Sequence, residues 1–254
     1  MNETAVIGFG LILARTGTFV GTMPLLGGRS VPRTVKVGLA LALAAMWFDS
    51  GKSRVVEGAL LDSATGWVAL ALAVGRESVI GAVLGFVFSL ILVPARVAGE
   101  YVGQEMGLSM ASLASPTVDN HAGLVGQLFE MLGAMLFWGM DGHQVFFAAL
   151  DCTFTRMPLG GRLARLPVTE LVHGVGRAQE SGLVIAAPVG VCLFVTSVVL
   201  ALMARAAPQL NVLSVGFTLR LAVGLAGATL FMTEIVTASS AALRQLSQLL
   251  VGWI

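Results

Sequence analysis

The sequence predicts an all-α membrane protein, arranged as one domain over residues 1–254, and three observations carry that expectation. Only 11% of the residues are charged and 56% are hydrophobic, where an ordinary soluble domain is about 25% charged. Too little polar surface is left to coat a water-soluble globule of this size, so most of the surface must face lipid or other protein. The apolar residues fall in helix-length runs separated by Gly, Pro and single charges. A net charge of +1 and two cysteines, Cys152 and Cys192, exclude a basic nucleic-acid binder and a disulfide scaffold.

The elements follow in order from these runs and their breakers. The first covers about residues 5–26, holds Arg15 and stops at Gly27-Gly28-Arg29. Met1-Asn2-Glu3-Thr4 carries an acid instead of a basic n-region, so this run is expected to persist as a helix and not as a cleaved signal peptide. Pro32 is placed to open a second helix through Lys36 to residue 48. A third is expected over 66–93, past Arg76-Glu77; Pro94 then breaks or kinks it, and a fourth follows over 95–113. After Ser115-Pro116-Thr117, apolar runs occupy about 124–140, 144–154, 182–204, 213–231 and 237–253.

A helix needs about 20 apolar residues to span lipid, and only the uncharged stretch 181–204 clears that length, with 79–95 close behind. Elsewhere Arg15, Glu130, Arg220 and Glu234 interrupt the runs. A charge exposed to lipid costs about 3 kcal/mol or more, so these groups should face protein or water. Basic residues mark two connections, Arg29, Arg33 and Lys36 in one and Arg156, Arg162, Arg165 and Arg177 in the other. With every run crossing once, these connections fall on opposite sides, against the positive-inside rule. Membrane-associated hairpins that do not all cross remove the conflict, and no orientation is assigned.

Glycine is the second signal, at 31 of 254 residues, well above the usual ~7%. Ala95, Gly99, Gly103, Gly107, Ala111 and Ser115 recur every four residues, a small-residue stripe along which a neighbouring helix can approach closely. Motifs for chemistry fail. His121, His143 and His173 are scattered; Gly51-Lys52-Ser53 lacks a phosphate loop's leading glycine because Met46 stands there; Gly107-Leu108-Ser109-Met110-Ala111 misses the nucleophile elbow at its last position. No catalytic, cofactor or metal residues are assigned. The embedded ionisable groups Arg15, Glu100, Glu105, Glu130, Arg205, Arg220 and Glu234 mark internal ion pairs or a transport path. The Gly/Ser/Pro/Asn-containing segment 107–123 is either a moving element inside a packed assembly or a plain surface turn.

Several separated motifs resemble the FliR family of flagellar type III export-gate proteins. They are Gly27 to Val37 (GGRSVPRTVKV), Gly99 to Ser109 (GEYVGQEMGLS), Asp141-Gly142-His143, Met157-Pro158-Leu159-Gly160, Arg205 to Val212 (RAAPQLNV) and Gly216-Phe217-Thr218-Leu219. Ser115-Pro116 stands where the family has Asp-Pro, and Asp141 where it has Asn. The injectisome counterparts share the plan. Met106 occupies a position expected to be basic in them, which favours the flagellar branch.

The resemblance implies a hetero-oligomeric helical assembly in the bacterial inner membrane, at the flagellar basal body. There a single FliR-like chain joins FliP-like and FliQ-like subunits, with an FlhB-like subunit as a further neighbour and no nucleic acid. Unfolded flagellar subunits would pass through its centre. It also implies that loop 107–123, with Gly107, Leu108, Ser109, Met110, Ser115, Pro116, Asp119 and Asn120, plugs the closed pore. Such a chain would be neither an enzyme nor a cofactor binder. A small-molecule transporter, with Pro94 and Pro188 as helix breaks, and an intramembrane enzyme are the other classes considered.

Overall fold

Proline and glycine set where the helices of this chain begin and end. The computed structural model describes residues 3–23, 31–49, 66–108, 123–161, 168–206 and 212–253. Among the described residues there are nine α-helices and no strand: α1 (Glu3–Thr22), α2 (Arg33–Asp49), α3 (Gly66–Ser89), α4 (Val93–Glu105), α5 (Leu124–Gly139), α6 (Gly142–Arg156), α7 (Val168–Ala206), α8 (Val212–Leu230) and α9 (Met232–Trp253). Pro32 immediately precedes α2, and Pro94 lies in the first turn of α4, where its missing N–H has no partner to lose. Asp141 caps α6 at φ 57°, a left-handed conformation that Asp and Asn tolerate better than other side chains.

Several boundaries differ from the sequence expectation: α1 ends at Thr22 and not near residue 26, α9 starts at Met232 and not near residue 237, and three more bear on the packing. The third run ends at Ser89, and a turn over residues 90–92 separates it from α4. The fourth ends at Glu105 and not near residue 113. The four-residue spacing of small residues continues past that point, but Gly107 adopts φ +82° and turns the chain out of the helix. Residues 109–122, which include Ala111 and Ser115 of the stripe, lie outside the described residues. Finally, α7 begins at Val168, well before residue 182, and runs unbroken through Pro188. Its polar opening, with Glu170, His173, Arg177 and Glu180, is unsuited to lipid but compatible with helix.

Among the described residues, three helices are long and apolar enough to cross a membrane, Ala5–Thr22, Gly66–Ser89 and Thr169–Ala206. The pair Val215–Leu230 and Met232–Arg244, bent by 66° at Phe231, makes a fourth if it counts as one span. Hydrogen bonds from Phe231 N to Gly227 O and from Ile235 N to Phe231 O carry the backbone through the bend.

The chain folds as two compact units. The first comprises Met1–Leu90, Asp141–Gly174 and Ser247–Ile254; the second comprises Ile91–Met140 and Val175–Leu246. In the first, α1 packs on both α2 and α3. Gly81 and Gly85 allow the approach, since a Cβ at either would collide with α1 at Arg15, Thr18, Phe19 and Thr22. Thr18 and Thr22 turn their hydroxyls back to the Ala14 and Thr18 carbonyls, so neither polar group is left bare in the interface. Phe19, Phe88 and Phe146 form an aromatic cluster with centroids 4.6–5.8 Å apart, and Trp47 Nε1 donates to Asp151 Oδ1 at 3.0 Å.

In the second unit, α4 lies on α5. Built at Gly99, a Cβ would stand 2.7 Å from Gly126 Cα; at Gly133, it would stand 2.8 Å from Ala95 Cβ. The small residues of both helices therefore interlock. Around them Val102, Phe129, Ile185, Val189, Leu193 and Ile235 close an apolar core. Burying each such side chain contributes about 1.5–3 kcal/mol.

Candidate functional site

Arg15 has no exposed surface, and its guanidinium is saturated with acceptors. Nε donates to Glu77 Oε2 at 2.7 Å, and Nη2 pairs with the same oxygen. Nη1 donates to the Thr153 carbonyl and Nη2 to the Met157 carbonyl, each at 2.9 Å. These carbonyls lie at the C-terminal end of α6, where the helix dipole favours a cation. The Phe154 ring sits 4.6 Å from the guanidinium carbon, a cation–π contact. Glu77 is equally buried; its other oxygen accepts from Arg76 Nη1 at 3.2 Å and from the Gly160 N–H at 3.4 Å. The network ties α1, α3 and the turn after α6 into one register. It works as a clamp with every guanidinium nitrogen engaged, and it is confined to the first unit.

The second feature is the root of segment 107–123. Beyond Glu105, the Gly107 N–H bonds to the Gln104 carbonyl at 2.9 Å and the Leu108 N–H to the Gly103 carbonyl at 3.1 Å. That pair of bonds, with left-handed Gly107 between, is a Schellman cap. Met106, only 1% exposed, fills a notch on α8: a Cβ at Gly224 would lie 2.7 Å from its Cγ and 2.9 Å from its Sδ. The Phe217 ring lies 3.5 Å from where a Gly107 Cβ would be. The last turn of α4 is thus seated on α8.

The other expected residues distribute as follows. Ala95, Gly99 and Gly103 face α5, Gly103 with room to spare at 3.6 Å from Val125 Cβ. Gly107 belongs to the cap and not to the stripe, because its positive φ ends the helix. Leu108 packs against the core of the second unit. Ser109, Met110, Ala111, Ser115, Pro116, Asp119 and Asn120 lie outside the described residues. Glu100 accepts from Arg96 Nε at 2.9 Å one turn away, on an exposed face, a pairing worth a few tenths of a kcal/mol. Glu105, Glu130 and Arg220 are half-buried and Arg205 is exposed at the C-terminal turn of α7; none makes an ion pair among the described residues. Arg220 Nε is buried without a hydrogen-bond partner. Glu234 is exposed and accepts from Thr233 Oγ1 at 2.8 Å.

Sequence reasoning missed Glu77 as Arg15's partner. It is the sole acid within the 66–93 run, and that isolation was the available signal. Among the described residues, no three His, Cys, Asp or Glu side chains come together as a metal site would need.

Comparison with known proteins gives concordant results. The family model described as bacterial export proteins, family 1, matches residues 6–246. The flagellar biosynthetic protein FliR of Escherichia coli K12 is 33% identical over 214 residues, covering 84% of this chain and 79% of that protein. FliR of Bacillus subtilis is 26% identical over 219 residues, covering 85% and 82%. The Yop proteins translocation protein T of Yersinia pestis is 26% identical over 157 residues, covering 61% and 60%.

Proposed function

Since this chain belongs to family 1 of the bacterial export proteins, we propose that it is a subunit of the flagellar protein-export gate. It sits at the flagellar basal body in the inner membrane, joined to FliP-like and FliQ-like subunits and next to an FlhB-like one. Together they line the channel through which unfolded flagellar subunits leave the cell. The observation that carries this reading is the similarity to FliR of E. coli over 84% of the chain. The shorter match to the Yop translocation protein favours an injectisome counterpart as the second reading.

Physical features support a gate subunit within a larger assembly. Large apolar side chains such as Trp67, Leu72, Met135, Phe194 and Leu230 are mostly exposed, and α5 is apolar but too short to span lipid. Neighbouring subunits cover such surfaces at no cost in unpaired polar groups. The chain acts as one export-gate unit in which the Arg15–Glu77 clamp holds the helices in register. The segment 107–123, rooted at the cap of α4, serves as the pore plug. It blocks the channel at rest and moves aside for substrate, and the energy for transport comes from other parts of the machine. No bond is made or broken in this chain.

The test is genetic. Deleting the gene is expected to abolish motility and the appearance of flagellar subunits in the culture medium, with both restored by a plasmid copy. Normal secretion of flagellar subunits in the deletion strain would overturn the flagellar reading; loss of a different secreted set would favour the injectisome one.

A further inference from the structure

Helix α7 changes character at residue 180. Glu170, His173, Arg177 and Glu180 stand before that point, and no charge follows until Arg205. A helix that enters hydrocarbon in this way carries its last charges at the level of the lipid headgroups. At the same point α7 and α9 flank an open-mouthed cavity of about 270 Å³, inside the second unit. From α7 it is lined by Arg177, Glu180, Ser181 and Val184, and from α9 by the small side chains of Ala238, Ala241 and Ala242. Behind these, Ile185, Ile235 and Ala242 belong to the packed core, so the cavity has a fixed floor.

The charges at the mouth are not spent on each other. Arg177 and Glu180 are three residues apart, where opposite charges on a helix can pair, although the order with the acid second is the weaker one. Among the described residues neither makes an ion pair. Both are exposed, so a free cation and a free carboxylate share one rim above an apolar floor. Water would satisfy the two charges but not Val184 and the alanines. A ligand that matches the whole cavity carries an anion and a hydrogen-bonding cation close together, with an apolar body behind them.

We propose that this cavity binds a phospholipid with a zwitterionic phosphate–ammonium headgroup, as in phosphatidylethanolamine. The Arg177 guanidinium donates to the phosphate oxygens, a charge-assisted pairing that its planar fork suits. The Glu180 carboxylate accepts from the primary ammonium, and the upper acyl chains lie over Val184 and the α9 alanines. Glu180 also sets the selectivity. It repels a headgroup that is only negative, such as phosphatidylglycerol, and finds no N–H on the methylated ammonium of phosphatidylcholine. The proposal requires a membrane and nothing of the export-gate reading.

The test uses the complex purified from cells that make the full-length tagged chain with its natural neighbours, placed in nanodiscs. These contain a trace of phosphatidylethanolamine bearing a diazirine near the top of one acyl chain. After illumination, adducts are mapped by mass spectrometry. The expected result is labelling within residues 181–184 and 238–242, competed by unlabelled phosphatidylethanolamine and at least fivefold less by phosphatidylglycerol or phosphatidylcholine. Arg177→Gln and Glu180→Gln should each reduce the labelling at least fivefold, while Arg96→Gln, an exposed arginine away from the cavity, leaves it unchanged. Equal competition by all three lipids, or labelling indifferent to both cavity substitutions, would overturn the site. Glycerophosphoethanolamine, which has the headgroup without the chains, is expected not to compete at millimolar concentration; full competition would assign the cavity to a soluble zwitterion and overturn the lipid. Each of these failures leaves the export-gate reading untouched, since that reading is judged by secretion in the deletion strain.

Discussion

The Arg15–Glu77 pair has no water to fall back on, so its two halves cannot be removed independently. Replacing Arg15 by Met leaves the buried Glu77 carboxylate with only Arg76 and the Gly160 N–H, at 3.2 and 3.4 Å, and takes the donor from the Thr153 and Met157 carbonyls. A loss of about 3–5 kcal/mol is expected. Adding Glu77→Leu should recover much of it, since an apolar pair of similar volume is close to neutral in such positions. Thermal unfolding of the purified protein in detergent checks this: the double variant should melt above the Arg15→Met single, and strictly additive losses would contradict the pairing. The need for a partner was legible in the sequence because an arginine in an apolar run demands one. Its identity was not, since Arg15 and Glu77 are 62 residues apart and nothing local couples them.

At the level of elements, the glycines of α4 and its C-terminal cap separate into three physical roles that equal spacing conceals. At Gly99 a Cβ meets backbone and Cβ atoms of α5 within 2.8 Å, so Gly99→Ala should force α4 and α5 apart and lower the melting temperature of the assembled protein. Gly103 has ordinary van der Waals room; Gly103→Ala should be neutral, or stabilising by up to about 1 kcal/mol from helix propensity. Equal effects at the two sites would refute the close approach at Gly99. Gly107 serves for its positive φ, and Gly107→Ala should cost about 1–2 kcal/mol while Asn is tolerated better. The helix starts at Pro32 and Pro94 were readable because proline acts locally. The end of α4 was not, because a glycine needed for a turn and one needed for packing look alike in a four-residue repeat. The early start of α7 was hidden for a related reason: its first turns are polar, and polarity argues against lipid without arguing against helix.

For the whole molecule, the composition foretold a helical chain that leaves much apolar surface for others to cover, and the exposed faces of α3, α5, α7 and α8 agree. Which partners cover them depends on family membership, since no pattern within one chain encodes a neighbour's sequence. If segment 107–123 closes the pore, deleting several of its residues should leave the purified assembly intact but raise ion conductance in planar bilayers; unchanged conductance would argue against a plug. The central claim, membership in a hetero-oligomeric export gate, is tested most directly by native mass spectrometry. The tagged chain would be expressed with and without the FliP- and FliQ-like proteins of the same genome, then purified in detergent. The expected result is a large particle containing one copy of this chain, formed only when the partners are present. A stable monomer or homo-oligomer, unchanged by co-expression, would contradict the gate assignment and remove the basis for the plug.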